Sequence, residues 1–390
     1  MRQDGAGDSL TIARVHELEE QIAAVRADGQ IADLIDDEQA VSGKGGGDPG
    51  NFQFNLQDAT MHILTLDDYK KYFSGFGLRD CAVGDRATMY FVLFQDWDDS
   101  KPKPFDEELE TRLLRLCSKD EKPWLGRKLT GFGGLMSGRD SGLSAAGICV
   151  DSAGQVCRRD PTGDGFEIEQ KIPGGGGRGP KRGGVRRIKQ INGWLYGSGG
   201  FRSMFKRIDR NQWVEIGPLP PSAKGEVGFD DFDLFSETDI YAAGGKGDVW
   251  HYDGKAWHAV PFPSNMWVES VCCGQDGYVY IGAQSGSAFR GRGNEWKLIH
   301  KGNLSLPFKD MVWFGDRVYA TNGYGLWEIK DGVVSPSDAP IEITNCSGNL
   351  SVGDGVMLLA GHYGAALHDG SGWARLFSIA ELERQANQTP

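Results

Sequence analysis

The sequence predicts an all-β protein built from repeated units, and two observations carry this prediction. Glycine occupies 57 of the 390 positions, about twice its usual share, which indicates many tight turns between short strands. The segment YAAGGKGDVWHYDGKAW (residues 241–257) recurs as an apolar anchor, a glycine six positions later and often a tryptophan beyond it. A period of about 40 residues with about four short strands per unit is typical of a β-propeller blade. The six anchors are Ile148, Tyr196, Tyr241, Tyr280, Tyr319 and Leu358.

Each unit contains a strand, a glycine turn, a second strand, an Asp-Gly or Gly-Asn turn and a further strand. In the unit anchored at Tyr280, these strands are VYIG, SAFRG and EWKLIH. Because a left-handed backbone costs glycine nothing, we interpret the glycines as turn residues and not as a phosphate-binding loop. The tryptophan of each unit is expected to pack between neighbouring blades. With six recognisable repeats, the prediction is a six- or seven-bladed β-propeller.

The segments DVWHYDGKAW (residues 248–257) and HDGSGW (residues 368–373) carry a likeness to known proteins. They resemble the superfamily of bacterial propellers with kelch-like and Asp-box-like blades, and the likeness extends over roughly residues 128–380. It implies the propeller fold and little about activity, since one fold serves many functions. We therefore place the propeller at residues 127–382 and a C-terminal tail at 383–390.

The N-terminal residues 1–50 differ from the repeats. Residues 8–28 predict an amphipathic helix, and GKGGGDPGN at 43–51 predicts a flexible linker. The helix could dock on the propeller, remain a tail, or bind a partner. Its apolar positions at helical spacing are Ile12, Val15, Leu18, Ile22 and Val25.

Residues 51–126 leave two interpretations open. Within them, MHILTL and ATMYFVLFQDW predict strands, whereas LDDYKKYFSGF and FDEELETRLLRLC predict helices. The region is therefore either a small α/β appendage to a six-bladed ring or a degenerate seventh blade with helical insertions.

Composition limits the classes of function. The formal net charge is −12, which argues against a nucleic-acid partner and favours a basic protein. The N-terminus has no apolar run resembling a signal peptide and no segment reaches membrane-spanning length, so we expect a cytoplasmic protein with no membrane partner. The seven cysteines and seven histidines show no metal-ligand spacing, and no metal or cofactor is predicted. Cys149 and Cys157 are expected to face each other across a hairpin.

A basic segment, GGGGRGPKRGGVRR, lies at residues 174–187. It could contact phosphate, but it lacks the GK[ST] sequence of a phosphate-binding loop and does not join a strand to a helix. We interpret it as a solvated loop between blades.

Three acids recur just before the innermost strands: Asp231, Glu269 and Asp310, with Arg187 near the equivalent place in its own repeat. Repetition predicts that these acids surround one mouth of the central channel. There they could hold a cation, receive a Lys or Arg from a partner, or simply be solvated.

A candidate binding surface comes from the turns that follow each anchor. Their residues differ from repeat to repeat, as is typical of a binding surface carried on a rigid scaffold, and the loops leading into the inner strands should lie on the same face. The predicted partner-binding residues are Arg202, Lys246, Trp267, Gln284, Phe308, Tyr324, His362 and Tyr363.

No catalytic spacing of nucleophile, base or metal ligands is present, and we assign no catalytic residue. The leading hypothesis is a non-catalytic propeller that binds a protein partner, with an immunity or antitoxin-like role against a basic bacterial toxin as its specific form. One alternative is a glycoside hydrolase or lyase that uses the channel-mouth acids. Another is a structural subunit attached through the N-terminal helix. The oligomeric state is left open.

Overall fold

The computed structural model describes residues 64–388, apart from residues 99, 103, 143 and 222–227. The described strands form seven four-stranded antiparallel sheets, each built from four consecutive strands. Successive sheets contact each other through their first strands, which surround a central channel. The protein is a seven-bladed β-propeller. The helix predicted at 8–28 and the linker at 43–51 lie outside the described residues.

The strands are numbered in chain order, four to a blade. The first blade contains β1 (Phe76–Asp85), β2 (Thr88–Gln95), β3 (Thr111–Cys117) and β4 (Trp124–Leu129). The second contains β5 (Met136–Arg139), β6 (Gly147–Val150), β7 (Val156–Arg159) and β8 (Phe166–Ile168). The third contains β9 (Val185–Ile191), β10 (Trp194–Gly199), β11 (Ser203–Asp209) and β12 (Gln212–Glu215). The fourth contains β13 (Asp231–Ser236), β14 (Asp239–Gly244), β15 (Asp248–Tyr252) and β16 (Trp257–Ala259).

The fifth blade contains β17 (Val268–Cys273), β18 (Val279–Ala283), β19 (Ser287–Arg292) and β20 (Glu295–His300). The sixth contains β21 (Asp310–Phe314), β22 (Arg317–Thr321), β23 (Leu326–Lys330) and β24 (Val333–Pro336). The seventh contains β25 (Gly348–Gly353), β26 (Val356–Gly361), β27 (Gly364–His368) and β28 (Trp373–Ser378). The helices are α1 (Leu66–Asp68, which continues as a π-helical turn through Phe73), α2 (Ile341–Thr344) and α3 (Ile379–Gln388).

Residues 76–129 form the first blade, so the described part of the region predicted at 51–126 belongs to a blade and not to an appendage. The helix predicted at LDDYKKYFSGF is present as α1 and its π-helical turn. The helix predicted at FDEELETRLLRLC is wrong: a short 3₁₀ turn at Asp106–Glu108 is followed by β3. Leu113, Leu114 and Leu116 are all buried, because a blade is covered on both faces. A strand buried on both faces loses the period-2 alternation that marks a half-exposed strand.

Residues 383–390, which the sequence assigned to a tail, fall largely within α3. The buried Ile379 and Leu382 of this helix join a core cluster that also contains Phe73 of the turn after α1. The helix therefore covers the seam between the last blade and the first.

Among residues 64–388, no sheet combines strands from the first and the last blade, so side-chain contacts close the ring there. Phe377 of β28 lies with ring centroids 5.5–5.6 Å from Phe73, Phe91 and Trp124 of the N-terminal side. Each aromatic pair of this kind is worth about 0.5–1.5 kcal/mol beyond its buried area. This cluster joins the seventh blade to the first.

The predicted position of the tryptophans between blades is confirmed. Trp296 of the fifth blade contacts Tyr241 of the fourth at 6.4 Å between ring centroids. Trp373 of the seventh blade contacts Tyr319 of the sixth at 6.1 Å. Cys149 and Cys157 face each other in the register of β6 and β7, as expected, and both are free thiols.

The antiparallel order fixes which loops share a face. Loops between the second and third strands of each blade lie on the same side as the loops that lead into each first strand. We call this side the upper face. The opposite side, formed by the other two kinds of loop, is the lower face.

Candidate functional site

The upper face carries seven of the eight predicted partner-binding residues at its surface. Phe308 is the exception: its side chain is fully buried, 5.3 Å from the ring of Trp327. It turns inward because Gly282 of the preceding blade leaves room for it, and the neighbouring Lys309 is exposed instead. The exposed members are Lys246, Gln284 and His362, and the half-exposed members are Arg202, Trp267, Tyr324 and Tyr363.

Contacts between blades hold several of these residues in place. Lys246 and Trp267 form an isolated β-bridge, which joins two loops around the fourth blade. The backbone N–H of Trp267 donates to Oε1 of Gln284 at 3.1 Å. Three predicted residues from separate loops are thereby linked, and the surface is preorganised for a partner.

Arg202 is held more tightly than the others. Its guanidinium donates to both carboxylate oxygens of Asp248 at 2.7 and 2.8 Å and lies 4.7 Å from the ring of Trp250. A bidentate pair of this geometry fixes the arginine side chain. Arg202 is therefore a rigid element between the third and fourth blades, with its charge already matched.

One upper-face loop escaped the sequence analysis. Residues 96–110 join β2 to β3, and we call them the acidic arm. The sequence did not indicate a loop here because residues 105–117 predicted a helix. Phe105 on this arm is 77% exposed. A β-carbon at Gly77 would lie 3.1 Å from Asp96 of the arm and 3.8 Å from Nδ1 of His362. The arm thus lies beside His362. Its described acids are Asp96, Asp98, Asp106, Glu107, Glu108 and Glu110.

The channel-mouth acids are not brought together as predicted. Asp231 and Asp310 are each 1% exposed and lie inside the channel wall. Arg187 of the third blade forms ion pairs with Asp310 and, at 3.4 Å, with Asp231. Lys189 is 2.8 Å from Asp231. Two cations therefore neutralise these two acids from within the ring.

Glu269 lies apart from that cluster and is half-buried. Burial raises its pKa, the negative charge of Asp230 raises it further, and Arg186 opposes both effects. Arg186 is itself paired with Asp230 at 2.6 Å.

The inner acids also accept backbone hydrogen bonds from the next blade. Asp80 accepts from Ser137 at 2.7 Å, and Asp310 accepts from Leu350 at 3.0 Å. In the fourth blade, Asp231 accepts from Val271 and Asp233 from Cys273, at 2.8 and 2.7 Å. These carboxylates join neighbouring blades, which explains why acids recur at this place in the repeat.

The burial of this cluster changes its ionisation. Burial raises the pKa of Asp233 to about 6, while Lys189 and the N–H groups of Cys273 and Leu234 oppose the rise. Burial by itself would lower the pKa of Arg187, but Asp310, Asp231 and Asp80 together raise it. Arg187 therefore carries its charge at physiological pH.

The channel contains two cavities, one towards each face. The lower cavity has a volume of about 540 Å³ and the upper one about 630 Å³, and both are lined by Arg187 and Asp80. The upper cavity opens beside the acidic arm, and Arg79 and Lys309 line it. The mouth on the upper face thus contains Arg79 and Lys309 together with Asp96 and Asp106 of the acidic arm, and none of the three predicted acids lines this cavity.

The basic segment at 174–187 does not form one exposed patch. Lys181 and Arg182 are buried, and Arg182 is paired with Glu215.

Within the described part of the chain, no group of three or more His, Cys, Asp or Glu side chains could hold a metal ion. Among the helices of the same residues, none is long and apolar enough to span a membrane.

Fold and surface together define a β-propeller with a preorganised loop face. No family model matches the sequence. The chain is 30% identical over 217 residues to the immune protein Tsi7 of Pseudomonas aeruginosa. The matched residues cover 55% of this chain and 71% of Tsi7. This chain belongs to the family of the immune protein Tsi7, and it is an immunity protein.

Solved structures show a likeness in fold alone. YCF48 from Cyanidioschyzon merolae superposes with a TM-score of 0.52 at 9% identity, over 75% of this chain and 95% of that one. The WD40 β-propeller domain of Doa1 superposes with a TM-score of 0.48 at 13% identity, over 77% and 92%.

Proposed function

We propose that this immunity protein neutralises a protein toxin by docking on it through the upper face. The observation that carries the proposal is the linked set of Lys246, Trp267 and Gln284, which presents side chains from three loops in fixed positions. Tyr324, His362 and Tyr363 continue the same face across the sixth and seventh blades. Tyrosine, tryptophan and arginine are the usual anchors of protein interfaces.

The toxin is proposed to be basic overall. The net charge of −12 gives a long-range attraction for a positively charged partner, which speeds diffusional encounter. The acidic arm supplies part of this charge on the upper face, next to the exposed ring of Phe105. We place this encounter in the cytoplasm, where a free protein with reduced thiols would reside.

The burial of the channel acids supports binding over catalysis. A general acid or base must reach the substrate within hydrogen-bonding distance. Asp231 and Asp310 are buried, paired with Arg187 and Lys189, and already accept hydrogen bonds from the next blade. The structural-subunit alternative depends on residues 1–50, which lie outside the described part, and it stays a hypothesis.

The kelch-like and Asp-box-like character of the turns is also part of the proposal. Asp253 accepts backbone hydrogen bonds from Lys255 and Ala256, and Asp369 accepts them from Ser371 and Gly372. An aspartate that closes its own hairpin turn in this way supports an Asp-box-like description.

The proposal is tested by co-purifying the toxin with the tagged protein and measuring the dissociation constant of the purified pair. Lys246→Glu should weaken binding by about tenfold or more if the toxin covers this face, because the new carboxylate would be repelled by the toxin oxygen atoms that pair with the Lys246 ammonium. Lys255→Glu makes the same charge change on the lower face and should leave binding unchanged. Equal effects of both variants, or no toxin in the co-purified material, would contradict the proposal.

A further inference from the structure

The mouth of the channel on the upper face is a recess with its own chemistry. Its volume is about 630 Å³, a size that accommodates a few side chains or a small ligand. Loops and strands of five blades line it, with Trp97 of the acidic arm on one side. The recess is the point at which the upper face becomes concave.

Two cations at this recess have no carboxylate partner. Arg79 of β1 is exposed and forms no hydrogen bond or ion pair within the described residues. The ammonium of Lys309 donates to Oδ1 of Asn349 at 2.6 Å, which is a neutral amide. A third cation, Arg186, is matched by Asp230. The recess therefore presents two charges for an anion, in a protein whose net charge is −12.

Within the described residues, the deeper charges of the channel form no ion pair with these cations. Asp80 lies at the floor of the recess, where it accepts backbone hydrogen bonds from Cys81 and Ser137 at 2.9 and 2.7 Å. Arg187 beneath it is paired with Asp310 and Asp231. Burial raises the pKa of Asp80 while the charges of Arg187 and Lys309 oppose the rise, so Lys309 is attracted to this carboxylate without forming an ion pair. Both Arg79 and Lys309 line the opening.

We propose that this recess binds a carboxylate side chain of the toxin, held between Arg79 and Lys309. The inference rests on the proposed function, and it names the chemistry of the toxin segment that enters the channel mouth. Arginine presents a planar fork that matches a carboxylate, and lysine adds a compact charge beside it. Asp96 and Asp106 of the acidic arm line the same recess, so basic groups next to the entering acid would meet them. A mainly basic toxin with one inserted Asp or Glu fits this pattern of charge.

Zero-length carbodiimide cross-linking of the wild-type complex tests the contact directly, because it joins a lysine amine to a carboxylate only where the two touch. The expected result is a cross-link between Lys309 and an Asp or Glu of the toxin, located by mass spectrometry. Lys309→Arg should lose the cross-link and keep the affinity, since the charge is retained. Cross-links from Lys246 with none from Lys309 would overturn the inference.

Charge reversal gives an independent measurement on the same complex. Arg79→Glu and Lys309→Glu should each weaken toxin binding by about tenfold or more. Lys297→Glu reverses an exposed charge on the outer strand β20 and is the matched control. Thermal unfolding of each variant verifies that the fold is retained.

The failures of the two proposals are distinguishable. If Lys246→Glu weakens binding while Arg79→Glu and Lys309→Glu do not, the recess inference is wrong and the upper-face proposal stands. If none of the three variants changes affinity for a toxin that binds the wild type, both proposals are wrong.

Discussion

The guanidinium of Arg187 in the third blade is paired with the carboxylate of Asp310 in the sixth blade, across the central channel. The same arginine lies 3.4 Å from Asp231 of the fourth blade, so one side chain connects three blades. This half-buried cation matches two buried acids and stabilises the fold, because without it Asp231 would keep only Lys189 and Asp310 would have no ion pair within the described residues.

Removal of this cation should destabilise the whole ring. We expect Arg187→Met to lower the free energy of unfolding by about 3–5 kcal/mol, since Asp231 and Asp310 would be left buried with one fewer partner. Urea denaturation followed by tryptophan fluorescence measures the change. Arg210→Met breaks an exposed ion pair with Glu167 and should have a much smaller effect. If Arg187→Met with Asp310→Asn recovers none of the loss, the electrostatic explanation is wrong.

Asp233 should make stability depend on pH. Its pKa rises from 3.8 in a solvated state to about 6 in the folded protein, so folding favours the protonated form. This contribution is fully present below about pH 4 and is lost as pH rises through about 6. The stability of the wild type relative to Asp233→Asn should fall by roughly 2–3 kcal/mol over that range. Chemical denaturation of both proteins from pH 4 to 7 measures it, and a constant difference would contradict the prediction.

The aromatic seam should control closure of the ring. Phe377→Ala removes the ring that contacts Phe73, Phe91 and Trp124, and it should cost about 3–5 kcal/mol because the cavity cannot be refilled by neighbours. Phe377→Leu should cost less. Leu219→Ala, at a position 88% exposed, is the control and should change stability little. Calorimetric unfolding compares the three variants, and a similar loss in all of them would contradict this role.

Trp267 should contribute to toxin affinity without contributing much to stability. Its backbone N–H, and not its indole, bonds Gln284, so Trp267→Ala leaves the loop contact in place. We expect affinity to fall by about 30-fold or more, as for an interface anchor. Tyr278→Ala on the lower face, where Tyr278 is 42% exposed, is the control. Calorimetric titration with the toxin measures both, and an unchanged affinity for Trp267→Ala would remove it from the interface.

The sequence by itself determined the repeating architecture. Glycine turns, the period of the anchors and the tryptophans are local properties, because each blade folds from consecutive residues. The same locality explains why the turn residues Lys246, Gln284 and His362 could be placed on one face. The seventh blade was only an alternative, since β3 is buried on both sides and its leucines do not alternate with polar residues.

Only the tertiary structure decided which charges meet. Arg187 and Asp310 are 123 residues apart in the chain, and their pairing follows from closure of the ring rather than from any local pattern. Two of the three acids that repetition placed near the axis, Asp231 and Asp310, are therefore paired with cations of the third blade. Arg79 and Lys309 remain at the mouth. Phe308, predicted at the surface, is buried for a similar reason, because the space left by Gly282 lies in the preceding blade. Repetition in the sequence specifies position, but the electrostatics of the channel depend on contacts that exist only in the closed ring.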